Sequence, residues 1–269
     1  MAEQSQEKLA YILGAIYGDG HFSKEAKVAF GSTDIEFVLK VSEYIKQLFD
    51  LHMIIRRRKL SEKNPNWRDF FEFSSKRLYK KLKHFDSHFT TVPRFILSGN
   101  KKVKSAFLRG FFDAEGSVEI RNVKRKDGRI DKIRHVKCYN NNLKLLDSIK
   151  EMFHDLDIKS EIFHGKGKNY YVVIWNYKSL NTFNRFVGFE IKRKQSLLNE
   201  AIKSYKEMQT RWKLKDYEKV INLRTATKFG STRLDKLLLR GGIKIPQSTI
   251  EAWIYGRTKV TENKSGGVQ

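Results

Sequence analysis

Hydrophobic residues fall in two rhythms along this chain, and the rhythms recur in the same order twice. Between Asp34 and Phe49, apolar side chains at Val38, Val41, Ile45 and Leu48 repeat every three or four positions, which places them on one face of a helix. Strand-like runs surround it at His21–Phe30, Met53–Lys59 and Trp67–Ser74, and a second helical stretch follows at Lys76–His84. The order returns with strands at Ser117–Lys124 and Ile130–Cys138, then a helix at Asn142–Leu156 that turns Leu145, Leu146, Ile149 and Phe153 inward. Strands at Ile158–His164 and Tyr170–Asn176 and a helix at Ser179–Val187 close the second set. Three short helical stretches end the chain, at Tyr217–Leu223, Ser231–Arg240 and Gln247–Gly256. The pattern predicts an α+β protein. Two pseudo-symmetric αββαββα halves occupy residues 1–98 and 99–210, and a small all-α domain and tail occupy 211–269.

The helix that opens each half carries a repeated segment. Ile12-Leu-Gly-Ala-Ile-Tyr-Gly-Asp-Gly20 aligns with Leu108-Arg-Gly-Phe-Phe-Asp-Ala-Glu-Gly116 at an offset of 96 residues. Gly14 falls on Gly110, Gly18 on Ala114, Asp19 on Glu115, and Gly20 on Gly116. Small residues four apart let two helix backbones approach closely, so the two segments are expected to pack on each other at a pseudo-two-fold axis. Gly20 and Gly116 then end the helices.

This places Asp19 and Glu115 side by side at the C-terminal ends of two helices. The helix dipole disfavours a carboxylate there, and two carboxylates close together disfavour each other's ionisation. A divalent cation relieves both penalties, and hard oxygen ligands with room for water and phosphate oxygens suit Mg²⁺. Asp113 stands opposite Tyr17 in the alignment, so it reads as a local hydrogen-bonding residue rather than a ligand.

Charge narrows the partner. Lys and Arg total 54 against 30 Asp and Glu, a formal net charge of +24 over 269 residues, which points to a polyanion and first to nucleic acid. No apolar run is long enough to span a bilayer, and the polar N-terminal residues Met1–Lys8 lack the features of a secretory signal. Cys138 is the single cysteine, so an intramolecular disulfide and a cysteine-rich zinc site are both excluded. An intracellular setting is expected, in a prokaryotic cytoplasm or nucleoid or in an organelle.

Over roughly residues 7–205 the paired segments resemble the LAGLIDADG homing endonucleases, in the monomeric form with two motifs. The resemblance implies that the motif helices form the interface between the halves. It also implies that Asp19 and Glu115 bind catalytic Mg²⁺ or Mn²⁺, with Gly18 and Ala114 completing the metal-site residues. This chain departs from the family pattern at Tyr17-Gly18, at Arg109 and in ending its second motif with Glu115. By position in the family, Lys194 in the segment Ile191–Gln195, ahead of the last helix of the second half, is the first choice for a basic residue assisting catalysis. Lys137 is the second. Ser32 and Cys138 stand at strand-end positions that often carry polar residues.

The family's sheets form a saddle that reads duplex DNA in the major groove. Arg56, Arg58, Arg121, Lys124 and Arg134 lie on the corresponding strand-like runs, arginine being suited to guanine edges and lysine to phosphate. In the C-terminal region the arrangement of short helices around Gly241–Pro246 resembles a helix-turn-helix, with Arg233, Lys236, Arg240, Lys244 and Arg257 towards phosphate. A plain three-helix accessory bundle fits the same pattern.

The resemblance implies a site-specific double-strand DNA endonuclease acting as a monomer, encoded in an intron or free-standing. An RNA maturase that assists its own intron RNA, or a DNA-binding regulator without cleavage, is the alternative. Self-splicing is not expected, since Met1 and Gln269 do not supply its nucleophile or its terminal amide.

Overall fold

The computed structural model describes residues 3–59, 69–85, 91–124, 130–165, 167, 169–209 and 214–256. The first half runs α1 (Glu3–Asp19), β1 (Gly20–Ser23), β2 (Lys27–Ser32), α2 (Ile35–Phe49), β3 (Arg56–Lys59), β4 (Asp69–Ser75) and α3 (Lys76–Leu82). A short α4 (Arg94–Leu97) leads to the second half: α5 (Lys101–Glu115), β5 (Gly116–Lys124), β6 (Ile130–Asn140), α6 (Leu143–Asp155), β7 (Glu161–His164), β8 (Tyr170–Ile174) and α7 (Tyr177–Phe186). Helix α8 (Lys192–Gln209) follows, then α9 (Leu214–Thr227), α10 (Ser231–Arg240) and α11 (Gln247–Ile254). The expected α+β order of two αββαββα halves and a helical C-terminal region is present.

Local chemistry sets the helix limits. Ser75, Asn100, Asn142 and Asn176 cap α3, α5, α6 and α7, each side-chain oxygen accepting a backbone N–H of the first turn at 2.8–3.3 Å. Asp50 ends α2 in the left-handed conformation, φ 50°, and donates its N–H to Lys46 O. Helix α2 buries Phe37, Val38, Val41 and Ile45 on one face, and α6 buries Leu145, Leu146, Ile149, Met152 and Phe153.

The two sheets share one topology, β1-β2-β4-β3 and β5-β6-β8-β7, antiparallel throughout. Strand alternation sends Val28, Phe30 and Phe73 inward from the first sheet, and Val136, Cys138 and Val172 inward from the second. The hairpins differ in length. Four register pairs join β1 to β2, whereas nine join β5 to β6. Several elements are shorter or longer than the sequence pattern predicts: β3 starts at Arg56 rather than Met53, β7 at Glu161 rather than Ile158, and α9 exceeds the expected Tyr217–Leu223 at both ends.

The chain divides into two compact units, Met1–Lys203 and Ser204–Gln269. The second has its own small core of Val220, Leu234, Leu238, Ile245, Ile250 and Trp253. Among the described residues, no helix is long and apolar enough to cross a membrane.

Candidate active site

Helices α1 and α5 pack against each other over most of their length, and α1 is buried on every side from Leu9 to Tyr17. The glycines dictate how close they come. A Cβ on Gly14 would lie 2.1 Å from Phe107 O and 2.9 Å from Phe111 N. One on Gly110 would lie 2.2 Å from Tyr11 O and 2.9 Å from Ala15 N. Phe107 and Phe111 are the 96-residue counterparts of Tyr11 and Ala15. Each helix thus meets the other through the same atoms, the signature of a pseudo-two-fold axis. One turn on, a Cβ at Gly18 would lie 2.3 Å from Ala114 Cβ and 3.1 Å from Glu115 Cγ, so the axis continues to the acidic ends.

Asp19 and Glu115 close these helices. Neither carboxylate has a hydrogen bond or ion pair to a described residue. Desolvation raises the Asp19 pKa from 3.8 to about 6, with the positive charge of Lys194 opposing the rise. Desolvation, then the Asp19 charge, raises Glu115 from 4.5 to about 7, again opposed by Lys194. Asp19 is nonetheless exposed and Glu115 half-buried, so the penalty comes from surrounding protein on one side while the other side stays open. The donor chemistry fits a hard divalent cation: two carboxylates that resist ionisation without a counter-charge, facing an open surface. Among the described residues no group of three or more His, Cys, Asp or Glu is placed to hold a metal. Gly18 lies at the helix contact. The carbonyl of Ala114, expected among the metal-site residues, accepts a hydrogen bond from Lys194.

Lys194 lies inside the first turn of α8 rather than ahead of that helix, and is only 8% exposed. Its Nζ donates to Asp113 O at 2.5 Å and to Phe112 O and Ala114 O at 3.2 Å each. A buried ammonium thus holds the last carbonyls of α5, where the helix dipole is negative. Burial lowers its pKa, while Asp113 and Asp19 oppose that shift.

Asp113 is 1% exposed and far from local in its partners. It accepts the Tyr11 hydroxyl at 2.9 Å and the backbone N–H groups of Glu190 and Ile191 at 3.1 and 3.3 Å, across 77 to 102 residues of sequence. Arg109, one turn earlier on α5, donates to Phe186 O and to Glu190 Oε1 at 3.3 Å, and to Val187 O. The segment leading into α8 is therefore tied to the second motif from two positions. Tyr17, the counterpart of Asp113, likewise anchors a distant segment, donating its hydroxyl to Thr91 O at 2.8 Å, ahead of α4.

The other expected residues are engaged elsewhere or exposed. Lys137 forms an ion pair with Glu119 at 2.7 Å and lies near the Tyr139 ring; no hydrogen bond or ion pair links it to Asp19 or Glu115. Cys138 is fully buried on the inner face of β6, and burial holds its thiol protonated, so it is a core residue rather than a polar site group. Ser32 Oγ accepts the N–H of Asp34 in the turn before α2. Arg56 and Arg58 are exposed on β3, Arg58 near Glu72 at 3.5 Å. Arg121, paired with Glu119, and Lys124 are exposed on β5.

Arg134 corrects the expectation. It is 4% exposed, shares the inward parity of Val136 and Cys138, and donates to Lys132 O, so it is not part of the outer surface. Arg240 is exposed at the end of α10. Arg257 lies outside the described residues.

Residues 6–84 and 102–188 match the LAGLIDADG-like domain family, and together they make up more than half of the chain. The chain belongs to this family. Each family match spans one αββαββα half and contains one of the two acidic motif ends. Among relatives, a probable translation initiation factor IF-2 of Thermococcus kodakarensis is 26% identical over 219 residues, 76% of this chain and 16% of that protein. The chain thus spans about a sixth of that relative's length. An uncharacterized protein of Methanocaldococcus jannaschii is 28% identical over 215 residues, 73% of this chain and 72% of that one. Among solved structures, one of mesophilic variants of the homing endonuclease I-DmoI aligns with a TM-score of 0.50 at 17% identity, over 74% of this chain and all of that one. I-DmoI in complex with DNA and Ca aligns with a TM-score of 0.50 at 16% identity over the same shares. At these identities the likeness to the solved structures is one of fold.

Proposed function

We propose that this chain is a site-specific double-strand DNA endonuclease that hydrolyses phosphodiester bonds with divalent metal held by Asp19 and Glu115. The observation that carries the reading is the carboxylate pair: two acids at the ends of two closely packed helices, both resisting ionisation and both open on one side. A bound Mg²⁺ or Mn²⁺ would supply Lewis-acid stabilisation of the phosphate and a more acidic water. Asp19 and Glu115 would hold it. The pseudo-two-fold axis lets one half address each strand of a duplex, so a monomer suffices. Lys194 holds the end of α5 and keeps positive potential beside both acids, which favours their charged, ligating forms. Exposed basic residues such as Arg56, Arg58 and Lys124 on the sheets' strands would face the duplex. Within the family, the match takes up most of one relative and a small part of another, which supports a self-contained module.

The test is cleavage of a randomised duplex library with Mg²⁺ or Mn²⁺, comparing the intact chain with Asp19→Asn and Glu115→Gln. Breaks at one enriched site that either substitution abolishes would establish the reaction and both ligands. Salt-sensitive binding without cutting by the intact chain would sink the endonuclease reading in favour of a regulator, and selective binding of structured intron RNA in favour of a maturase.

A further inference from the structure

The shared topology lets the two sheets be compared position by position. Gly20 pairs with Phe30 and Gly116 with Cys138, so the glycines that follow the two acids fix equivalent registers. One step along β2 and β6, the outward rows are Gly31–Glu72–Arg56 in the first sheet and Tyr139–Tyr171–Phe163 in the second. The same row of the same fold is therefore polar and charged, with one acid and one base, in one half and aromatic in the other. Tyr139 and Phe163 are 44% and 42% exposed. Their rings lie 5.2 and 5.5 Å from that of Tyr171. The row lines an open cleft of about 390 Å³ that also holds Arg121 and Lys137.

We propose that the two halves read their half-sites by different chemistry, the Tyr139–Tyr171–Phe163 row contacting thymine methyl groups in the major groove while the Arg56 row reads polar base edges. This rests on the endonuclease reading above. Within the major groove the C5-methyl of thymine is the base-edge group suited to an apolar surface, whereas arginine is suited to guanine O6 and N7. A second copy of this chain is a poor occupant of the cleft, because like molecules of net charge +24 repel. Unpaired bases fit less well than a duplex edge, because Phe163 and Tyr171 already stack on each other at an interplanar angle of 26°, which uses ring faces that a base would need.

The experiment selects a bound duplex from a randomised library with the full chain in metal-free buffer. Each thymine of the selected duplex is then replaced in turn by deoxyuridine, which removes only the methyl group. Uracil substitutions are expected to weaken binding by roughly fourfold per buried methyl in one half-site and to leave the other unchanged. Phe163→Ala should erase that penalty and Arg56→Ala should leave it in place. Uracil duplexes that bind as well as thymine duplexes throughout, with specific binding intact, would overturn the proposal. Tighter binding of single-stranded DNA or RNA that Phe163→Ala abolishes would overturn it in favour of base stacking. A library that yields no enriched duplex would instead overturn the nuclease reading, and this one with it.

Discussion

Tyr11 of the first half donates its hydroxyl to the buried carboxylate of Asp113 in the second, at 2.9 Å. That bond joins the motif helices from inside the core, and Asp113 extends it to the backbone that enters α8. Tyr11→Phe removes one donor and leaves the other two, so a loss of about 1–2 kcal/mol is expected. Asp113→Ala strands the hydroxyl and two N–H groups together and should cost clearly more. Thermal melts of both variants test this, at roughly 2–4 °C per kcal/mol. An Asp113→Ala midpoint no lower than that of Tyr11→Phe would show that Asp113 is not the hub of these contacts.

Lys194 is a positioning residue in this arrangement: it grips three carbonyls at the end of α5 and lends its charge to Asp19 and Glu115. Lys194→Met should raise both carboxylate pKa values further and weaken metal activation at pH 7, on the order of tenfold if the pKa values climb by about one. Raising the pH to 8.5 should restore much of the loss, because the acids then ionise without help. A Mn²⁺ titration of cleavage at both pH values is the measurement. A defect that stays the same at pH 8.5 would mean that the lysine acts otherwise than through the acids.

The same carboxylates oppose folding in the absence of metal. Their folded values, about 6 for Asp19 and about 7 for Glu115, lie above the ordinary 3.8 and 4.5. Between pH 4 and 7 the folded chain therefore retains protons that the unfolded chain has released. Their contribution falls as pH rises through that window and stays low above it. Asp19→Asn and Glu115→Gln should each raise the melting temperature in EDTA at pH 8, with little change at pH 4. Mg²⁺ should stabilise the unaltered chain at pH 8 and much less at pH 5, where protons compete for the same oxygens. Equal melting temperatures for all three proteins in EDTA at pH 8 would contradict the shared-burden account of the pair.

The fold was legible because its signals are local or repeated. Apolar spacing of three and four marks α2 and α6, and the 96-residue offset brings Gly14, Gly110, Asp19 and Glu115 into correspondence without any structure. The contacts of Asp113 and Lys194 were not. Asp113 finds partners 77 to 102 residues away, and Lys194 binds backbone carbonyls, which leave no side-chain pattern to read. The aromatic row on the second sheet depends on the register of three strands, and its contrast with the first sheet emerges only when both registers are known.

Arg134 is the instructive error, because the signal against it was in the sequence. It shares strand parity with Val136 and Cys138, so an alternating strand that buries those two buries Arg134 as well. Arg121, on the neighbouring strand, is exposed. The two arginines should therefore fail differently. Arg134→Ala removes a buried side chain that donates to Lys132 O, so it should lower the melting temperature while DNA affinity per folded molecule stays near that of the unaltered chain. Arg121→Ala should leave the melt nearly unchanged and weaken binding, and if Arg121 meets a phosphate the salt dependence of log affinity should become shallower by about one. Binding isotherms at three salt concentrations, corrected for the folded fraction, separate the cases. Salt-dependent affinity lost on Arg134→Ala with an unchanged melt would return that arginine to the DNA surface and require the β5–β6 register to be redrawn.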